Sequence, residues 1–303
     1  MPPIRTHVKK HERAVILRSV IAVDLRPGPS ANVVLVHGEV LIDSGSGEPA
    51  AIARTRAFLA EHGAEPRLLA LTHFHADHAG GAGALGIPVA AHAIEADLVN
   101  GGDPRAGDPW LGFEIPPYRV ARRLVDGEWL VEGVQVVHTP GQTPGHVAYW
   151  LPEERVAITG DLLQNGDVAW IPFGGPWAEG ALDATIASIE RIAALRPVRT
   201  IPGHGAPVED VPSAVAATLE RYEAFRAQPQ RAAWHAVRRA LISHLMIAPR
   251  TAPELVALPW APVAAAALDL TPAAVVERAL AVLGERGAVT RDGDVYDTTV
   301  PHE

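Results

Sequence analysis

The 303-residue sequence contains no cysteine and no long hydrophobic run. Without cysteine the chain forms no disulfide and offers no thiolate, so a bound metal must be held by histidine and carboxylate side chains. No apolar run approaches the length of about 18 residues that a membrane span needs, and the first five residues lack the apolar segment of a signal peptide. These absences favour a soluble, cytoplasmic protein that makes no membrane contact.

A surplus of positive charge is also missing, because the formal net charge is −9 at pH 7. This balance disfavours a broad nucleic-acid surface, although a local basic patch stays compatible with it. The length, with 48% hydrophobic residues, suffices for one large domain and one smaller domain. Where the composition becomes rich in alanine, arginine and leucine, we divide the chain into residues 1–210 and 211–303.

Four candidate metal ligands are packed into six residues: His73, His75, Asp77 and His78. His73 and His75 are two residues apart, so an extended or tightly looped backbone directs both imidazoles to one side. Asp77 and His78 follow where a helix could begin. Nitrogen and oxygen donors of this kind suit zinc and similar metals. Turn formation alone does not call for three imidazoles, so we interpret this stretch as a metal site.

Residues 72–78, THFHADH, resemble the His-x-His-x-Asp-His box of the metallo-β-lactamase-fold hydrolases. Three later segments resemble further motifs of that family, in the same order: residues 139–146 (TPGQTPGH), 159–161 (TGD) and 201–205 (IPGHG). Four ordered motifs over roughly two thirds of the chain make a chance match implausible. The resemblance implies an α/β fold, an αββα sandwich of two stacked sheets with helices outside.

The resemblance also implies a metal centre, with zinc as the expected metal, two ions per chain, and manganese or iron as alternatives. The expected ligands are His73, His75, Asp77, His78, Asp161 and His204. In this family one metal binds the first two histidines, the other binds Asp77 and the last histidine with His78, and Asp161 bridges them. A hydroxide held between the metals is then the nucleophile, and Asp77 is placed as the catalytic residue that accepts or passes on a proton.

The second motif departs from the family at one position. Relatives read Thr-Pro-Gly-His-Thr-x-Gly-His and use the first histidine as the ligand, and Gln142 occupies that position here while His146 matches the second histidine. The separation from Asp161 also fits the alignment with Gln142. Three outcomes stay open: Gln142 ligates weakly through its amide oxygen, His146 replaces it, or the first metal position is weak or empty.

The residues around the motifs predict alternating strands and helices. Asp43 ends a strand-like run and is expected to orient a ligand imidazole. Two loops rich in glycine, proline and aromatic residues, 100–117 and 166–180, are expected to wall a substrate pocket. The remaining predictions are strands at 14–23, 31–42, 67–71, 118–137, 146–159 and 198–201, with helices at 49–62 and 181–195.

The C-terminal part is predicted to be helical and to end in a hairpin. Residues 211–227 and 231–247 have helical periodicity, helices are expected to start near Pro253 and Pro272, and the chain is expected to turn at Asp292-Gly293. Helices followed by a hairpin resemble a winged-helix module, as in β-lactamase-like endoribonucleases of the β-lactamase-like protein 2 type. We expect this module to pack against the catalytic domain and border its pocket.

The leading hypothesis for function is a metal-dependent hydrolase acting on a small ester, thioester or lactone. Relatives that open acyl-homoserine lactones commonly carry tyrosine where this chain has Gln164. An endoribonuclease is the alternative that the C-terminal module suggests, but residues 211–303 contain nine arginines against ten acidic residues. An oxidoreductase like the persulfide dioxygenases and a weakly catalytic binding protein are further alternatives. The expected partner is a small-molecule substrate, with a homodimer possible and nucleic acid disfavoured.

Overall fold

The computed structural model describes residues 21–26, 29–107 and 109–300. The strand predicted over 14–23 therefore falls largely outside the described residues. Its last residues belong to the first strand of the structure, Ile21–Asp24.

Two β-sheets form the centre of the N-terminal part. The first sheet has six strands, which follow each other in space as in sequence: β1 (Ile21–Asp24), β2 (Val33–Val36), β3 (Val40–Ile42), β4 (Leu68–Ala70), β5 (Val89–His92) and β6 (Val120–Leu124). The second sheet has the spatial order β11-β10-β9-β8-β7, with β7 at Trp129–Val131, β8 at Val134–His138, β9 at Val147–Leu151, β10 at Val156–Gly160 and β11 at Arg199–Pro202. The strands predicted from β-branched runs are confirmed, with shorter bounds.

Helices cover the outer faces of both sheets. They are α1 (Pro49–Glu61), α2 (Ala76–Ala79), α3 (Ala82–Leu85), α4 (Ala93–Gly101), α5 (Ala181–Ala194) and α6 (Val211–Ala227). An apolar core that includes Val36 and Tyr149 lies between the sheets, and separate clusters join each sheet to its helices, through Phe58 on one side and Ile189 on the other. Strand β2 is buried along its whole length because both of its faces are covered. The predicted α/β sandwich of two sheets between helices is confirmed.

The candidate ligands lie at one edge of the sandwich because several strands end there. Strands β3 and β4 run parallel, as do β10 and β11, so their carboxyl ends lie on the same side of each sheet. Asp43 directly follows β3, and Asp161 directly follows β10. Loops after parallel strands are the usual place for a site in α/β proteins.

The C-terminal part is a separate helical layer with a small sheet. Its elements are α7 (Pro229–Ile247), β12 (Arg250–Thr251), α8 (Ala252–Val256), α9 (Trp260–Leu268), α10 (Pro272–Glu285), β13 (Val289–Asp292) and β14 (Val295–Thr298). The predicted helix starts are confirmed, since Thr251 and Thr271 cap α8 and α10 with their hydroxyls and each helix has proline in its first turn. The hairpin is also confirmed, with Gly293-Asp294 between the paired residues, one residue later than predicted.

Helix α6 packs differently from the helices that follow it. Tyr222 and Phe225 of α6 belong to the apolar cluster that covers the second sheet, whereas the core of the C-terminal part is built from residues 233–289. The division of the chain at residue 210 stays a prediction. Among the described residues, no helix combines the length and the apolar character needed to cross a membrane.

Candidate metal centre

A buried carboxylate fixes the base of the site. Asp43 is 2% exposed and has a positive φ of 58°, which directs its side chain back under the loop after β4. Its Oδ1 accepts from the Thr72 amide at 2.7 Å, and its Oδ2 accepts from the Thr72 hydroxyl at 2.8 Å and lies 2.7 Å from Nδ1 of His78. These bonds hold the His78 ring so that its Nε2 faces the other candidate ligands. The predicted orienting role of Asp43 agrees with this geometry.

A second network fixes the loop that carries His204. The Asn32 side-chain amide donates to the carbonyls of Pro202 and Gly205 at 3.0 and 2.9 Å, and the Asn32 backbone amide donates to the Gly203 carbonyl. Gly203 also brings this loop close to the other ligands, because a Cβ there would lie 2.5 Å from the His78 ring and 2.9 Å from Asp161 Oδ1. A residue with a side chain would therefore force His204 away from His78.

Four side-chain atoms converge where the buried residues His78 and Asp161 meet the partly exposed residues Asp77 and His204. Asp77 Oδ2 lies 3.0 Å from His204 Nε2 and 3.7 Å from His78 Nε2. Asp161 Oδ1 lies 3.3 Å from His78 Nε2 and 3.4 Å from His204 Nε2. A tetrahedral site with metal–ligand bonds of about 2.0–2.1 Å has edges of about 3.4 Å, and these four separations scatter around that value. Ligand atoms of Asp77, His78 and His204 all lie within 4.8 Å of one another, and Asp161 forms a second such group with His73 and His78. We refer to Asp77, His78, Asp161 and His204 as the complete set.

The other two histidines of the first motif form a closer pair. His73 Nε2 lies 2.9 Å from His75 Nδ1, and both rings are buried. The His73 ring also lies near His78 and Asp161, and ligand atoms of these three residues fall within 4.8 Å of one another. Trp170 stacks on the His75 ring at 5.5 Å with an interplanar angle of 21°. The pair His73–His75 thus lies beside the complete set, where the sequence predicts a second metal.

The structure separates the roles of Gln142 and His146. The Gln142 amide nitrogen lies 2.7 Å from Asp161 Oδ2, with both residues buried. His146 Nδ1 contacts the Thr139 hydroxyl at 2.8 Å, and the His146 ring centroid lies 5.1 Å from that of His73. Its Nε2 is buried without a hydrogen-bond partner, and His146 joins no cluster of candidate ligand atoms among the described residues. The structure therefore brings Gln142, rather than His146, next to the carboxylate that the family uses as a bridge.

The pKa values at the site are governed by burial and by opposed charges. Burial alone would lower the pKa of His78, but the carboxylates of Asp77, Asp43 and Asp161 raise it well above its ordinary value. Burial also opposes ionisation of Asp161, yet His204 and His78 hold its pKa well below the usual range. The cluster of carboxylates thus stabilises positive charge at this point of the molecule.

The residues present fit a bound divalent cation. Within the described part of the chain, His78 Nε2 and Asp161 Oδ1 are buried atoms with no hydrogen-bond partner, a costly state unless a ligand satisfies them. Both are atoms of the complete set, and both have the chemistry of zinc or iron ligands.

All six sequence-predicted ligands lie at this one site, and several supporting residues were not predicted. Sequence reasoning missed the hydrogen bonds of Thr72 and Asn32 and the stacking of Trp170 on His75. Asn32 offered a signal, because it is a polar residue at the start of an apolar run that leads into a buried strand. The sequence offers no signal for Trp170 beyond its place in an aromatic loop. Its contact with His75 depends on how distant segments of the chain pack.

Comparison with known proteins agrees with the geometry. A model of the metallo-beta-lactamase superfamily matches residues 26–204. The acyl-coenzyme A thioesterase MBLAC2 of Gallus gallus is 30% identical over 174 residues, which cover 48% of this chain and 62% of that protein. The chain spans about half the length of the first curated relatives it matches.

Two solved structures resemble the chain over nearly their whole length. The metallo-beta-lactamase family protein TTHA1429 from Thermus thermophilus is 28% identical, with a TM-score of 0.57, and the match covers 92% of this chain and 98% of that one. The protein TTHA1623, solved in a di-iron-bound form, is 34% identical with a TM-score of 0.51, and the match covers 62% of this chain and 94% of that one. The family model matches more than half of the chain, and the motifs lie together at one edge of the sandwich. This chain therefore belongs to the metallo-beta-lactamase superfamily.

Proposed function

We propose that the protein is a metal-dependent hydrolase that cleaves the thioester bond of a small acyl substrate. The observation that carries this proposal is the complete set, in which Asp77 and Asp161 each lie 3.0–3.7 Å from the Nε2 atoms of His78 and His204, near the edge of about 3.4 Å of a tetrahedral metal site. We assign Asp77, His78, Asp161 and His204 as ligands of one metal and His73 and His75 as ligands of a second position. Zinc is the proposed metal, and iron is the alternative because TTHA1623 was solved with two iron ions.

Exposure distinguishes the three carboxylates and supports a proton-transfer role for Asp77. The Asp77 side chain is 31% exposed, whereas those of Asp161 and Asp43 are 4% and 3% exposed. Asp77 is therefore the carboxylate that a substrate and its attacking water can reach. Against the opposing effect of burial, the charge of His78 and the contact with His204 lower the pKa of Asp77, so its carboxylate is ionised at neutral pH. A bound divalent metal supplies the Lewis acid that activates water and polarises the scissile carbonyl.

The loops beside the site favour an apolar acyl group. Trp110 lies edge-on to Trp170 at 5.2 Å and to Phe173 at 6.0 Å, so residues of both aromatic loops meet next to the His75 ring. MBLAC2 is named as an acyl-coenzyme A thioesterase, which supports a thioester before an ester. Gln164, which is buried, occupies the position of the tyrosine in lactone-opening relatives. We therefore rank a lactone below a thioester and an ester as the substrate.

We further propose that the chain from α7 to β14 forms a winged-helix-like module, with α6 packed on the second sheet outside it. From α7 onward the order is helix, strand, helices and hairpin, and the first strand pairs with the last, giving the order β12-β14-β13. This order supports the resemblance, and the lack of a basic surplus argues against an RNA partner.

A substrate panel tests the proposed function. Metal-loaded protein is assayed with short- and medium-chain acyl thioesters, the matching oxygen esters, lactones, phosphodiesters and single-stranded RNA. We expect thioester cleavage that a chelator abolishes and added metal restores, and we expect Asp77→Asn to lower kcat by about 10²-fold or more, on the order of the contribution of a general base. Cleavage of RNA but no thioester would overturn the proposal in favour of the endoribonuclease, and no hydrolysis of any substrate by metal-loaded protein would refute it.

A further inference from the structure

The two oxygens of Asp161 face different partners. Oδ1 faces the complete set, at 3.3 Å from His78 Nε2 and 3.4 Å from His204 Nε2. Oδ2 accepts a hydrogen bond from the amide nitrogen of Gln142 at 2.7 Å. A carboxylate that bridged two metals would need Oδ2, or a shared oxygen, free for the second ion. In this protein the Gln142 amide already occupies Oδ2 of Asp161.

The chemistry of the amide favours this orientation. An amide N–H is a donor with no lone pair, so it cannot ligate a cation. If the amide were turned over, the Gln142 oxygen would face a carboxylate oxygen at hydrogen-bond distance with no proton between them, which is unfavourable unless a cation separates the two. Gln142 thus satisfies Asp161 Oδ2 without a metal, and its N–H opposes an ion placed between Asp161 and the pair His73–His75. The Gln142 Oε1 atom, in contrast, is buried with no hydrogen-bond partner among the described residues.

His146 is the other residue that could supply the missing imidazole. Its Nδ1 lies 2.8 Å from the Thr139 hydroxyl, and its ring centroid lies 5.1 Å from that of His73. Its Nε2 lies close to Gly160 and is buried with no hydrogen-bond partner among the described residues. His146 belongs to neither group of residues whose ligand atoms converge, whereas the Gln142 amide contacts Asp161 directly. We therefore expect Gln142 to determine the second position, and His146→Ala tests this.

We propose that this protein holds one metal tightly, at the complete set, and that Gln142 keeps the His73–His75 position weak by donating its amide hydrogen to Asp161. The inference rests on the metal assignment in the proposed function but not on the substrate. Its readout is metal content, so a failure to find hydrolysis would leave it standing. Conversely, two tightly held metals would overturn it and leave thioester hydrolysis intact.

The test compares metal binding by the whole chain and its variants. Protein stripped by a chelator is titrated with zinc against a competing chelator, and bound zinc per chain is measured by elemental analysis and calorimetry. We expect the wild type to retain one equivalent tightly and Gln142→His to retain two, with the second site tightened about ten-fold or more, in the range that supporting residues contribute to metal affinity. Gln142→Met keeps the shape but removes the N–H, and it should tighten the second site less than Gln142→His.

Three results would overturn the proposal. The first is two tight equivalents in the wild type, a measurement that needs no variant. The second is an unchanged second-site affinity in Gln142→Met, which would show that the hydrogen bond has no part in the weakness. The third is the loss of one full equivalent in His146→Ala, the matched control, for which we expect the wild-type metal content. Cobalt absorption spectra report one or two occupied positions independently of enzyme activity.

Discussion

The edge of the sandwich and the C-terminal module bury different kinds of side chain. At the edge, Asp43, His78 and Asp161 are buried together and their charges depend on one another. In the module the core is apolar, with residues such as Leu241 and Trp260 fully buried. This difference indicates the position of the functional site, because a cluster of buried charges lowers the stability of a fold unless a ligand or a reaction uses it.

The buried polar residues of the module point toward the aromatic loops of the N-terminal part. His244 Nε2 donates to the Leu111 carbonyl at 2.8 Å, and its ring stacks on Phe113 at 4.2 Å. His235 Nε2 donates to the Val168 carbonyl at 3.0 Å, and Arg239 pairs with Asp167. Helix α7 therefore fastens both loops that flank the site. The module contributes none of the six candidate ligands, but it fixes the walls beside His75.

The largest expected effect comes from breaking the charge cluster with Asp43→Ala. This change removes an acceptor of three hydrogen bonds and leaves the Thr72 amide without its acceptor and His78 without its carboxylate partner, so we expect a loss of about 3–5 kcal/mol in the free energy of unfolding. Metal affinity should also fall by about 10–100-fold, because His78 is no longer oriented. Urea unfolding and zinc titration check the two effects.

Leu241→Ala is the matched control in the apolar core. Leu241 is fully buried, so its truncation should cost about 2–5 kcal/mol. Zinc affinity measured on the folded protein should not change, because Leu241 packs in the apolar core of the module rather than against the metal site. If Asp43→Ala kept its zinc affinity, or if Leu241→Ala lost it, the functional difference between the two regions would be disproved.

The second prediction concerns His244 and the loops it holds. Burial lowers the pKa of His244 to about 4, with Arg250 adding to the shift, whereas an unfolded histidine has a pKa of about 6.5. Since the unfolded chain takes up the proton first, stability from neutral His244 is fully present above about pH 6.5 and is lost as the pH falls toward 4. Between pH 7 and pH 5 this loss is about 1–2 kcal/mol.

His244→Gln separates this effect from other titrating groups. The amide of glutamine can still donate to the Leu111 carbonyl but does not titrate, and every other histidine is common to both proteins. We expect the fall in unfolding free energy from pH 7 to pH 5 to be smaller in the variant than in the wild type. Equal falls in the two proteins, measured by urea denaturation at each pH, would count against a buried neutral His244.

The sequence predicted the fold well because the fold depends on local patterns, and the local spacing of the motifs also identified the six candidate ligands, whose assignment stays a prediction. Runs such as residues 33–36 are apolar throughout, which is typical of strands covered on both faces, and the histidine box has the spacing of a metal site. Residues 14–20 could not be compared, because they lie outside the described residues. Trp170 on His75 and His244 on Leu111 were not predictable, since each joins segments far apart in the chain. Which way the Gln142 amide turns also depends on Asp161, a partner 19 residues away.

The smallest expected effect lies at the surface of the module, at the start of α8. Thr251 forms a capping box with Glu254: its hydroxyl accepts from the Glu254 amide at 3.4 Å, and the Glu254 carboxylate accepts from the Thr251 amide at 2.7 Å. Thr251→Ala removes the hydroxyl but keeps the second bond, so we expect a loss of about 1 kcal/mol in unfolding free energy. Thr251→Ser keeps a capping hydroxyl and should lie within about 0.5 kcal/mol of the wild type.

Zinc affinity and thioester turnover should match the wild type in both variants, because the capping box lies on the surface and contains none of the candidate ligands or aromatic loop residues. A drop in turnover with Thr251→Ala at unchanged zinc affinity would mean that the whole module, and not helix α7 alone, controls the walls of the site.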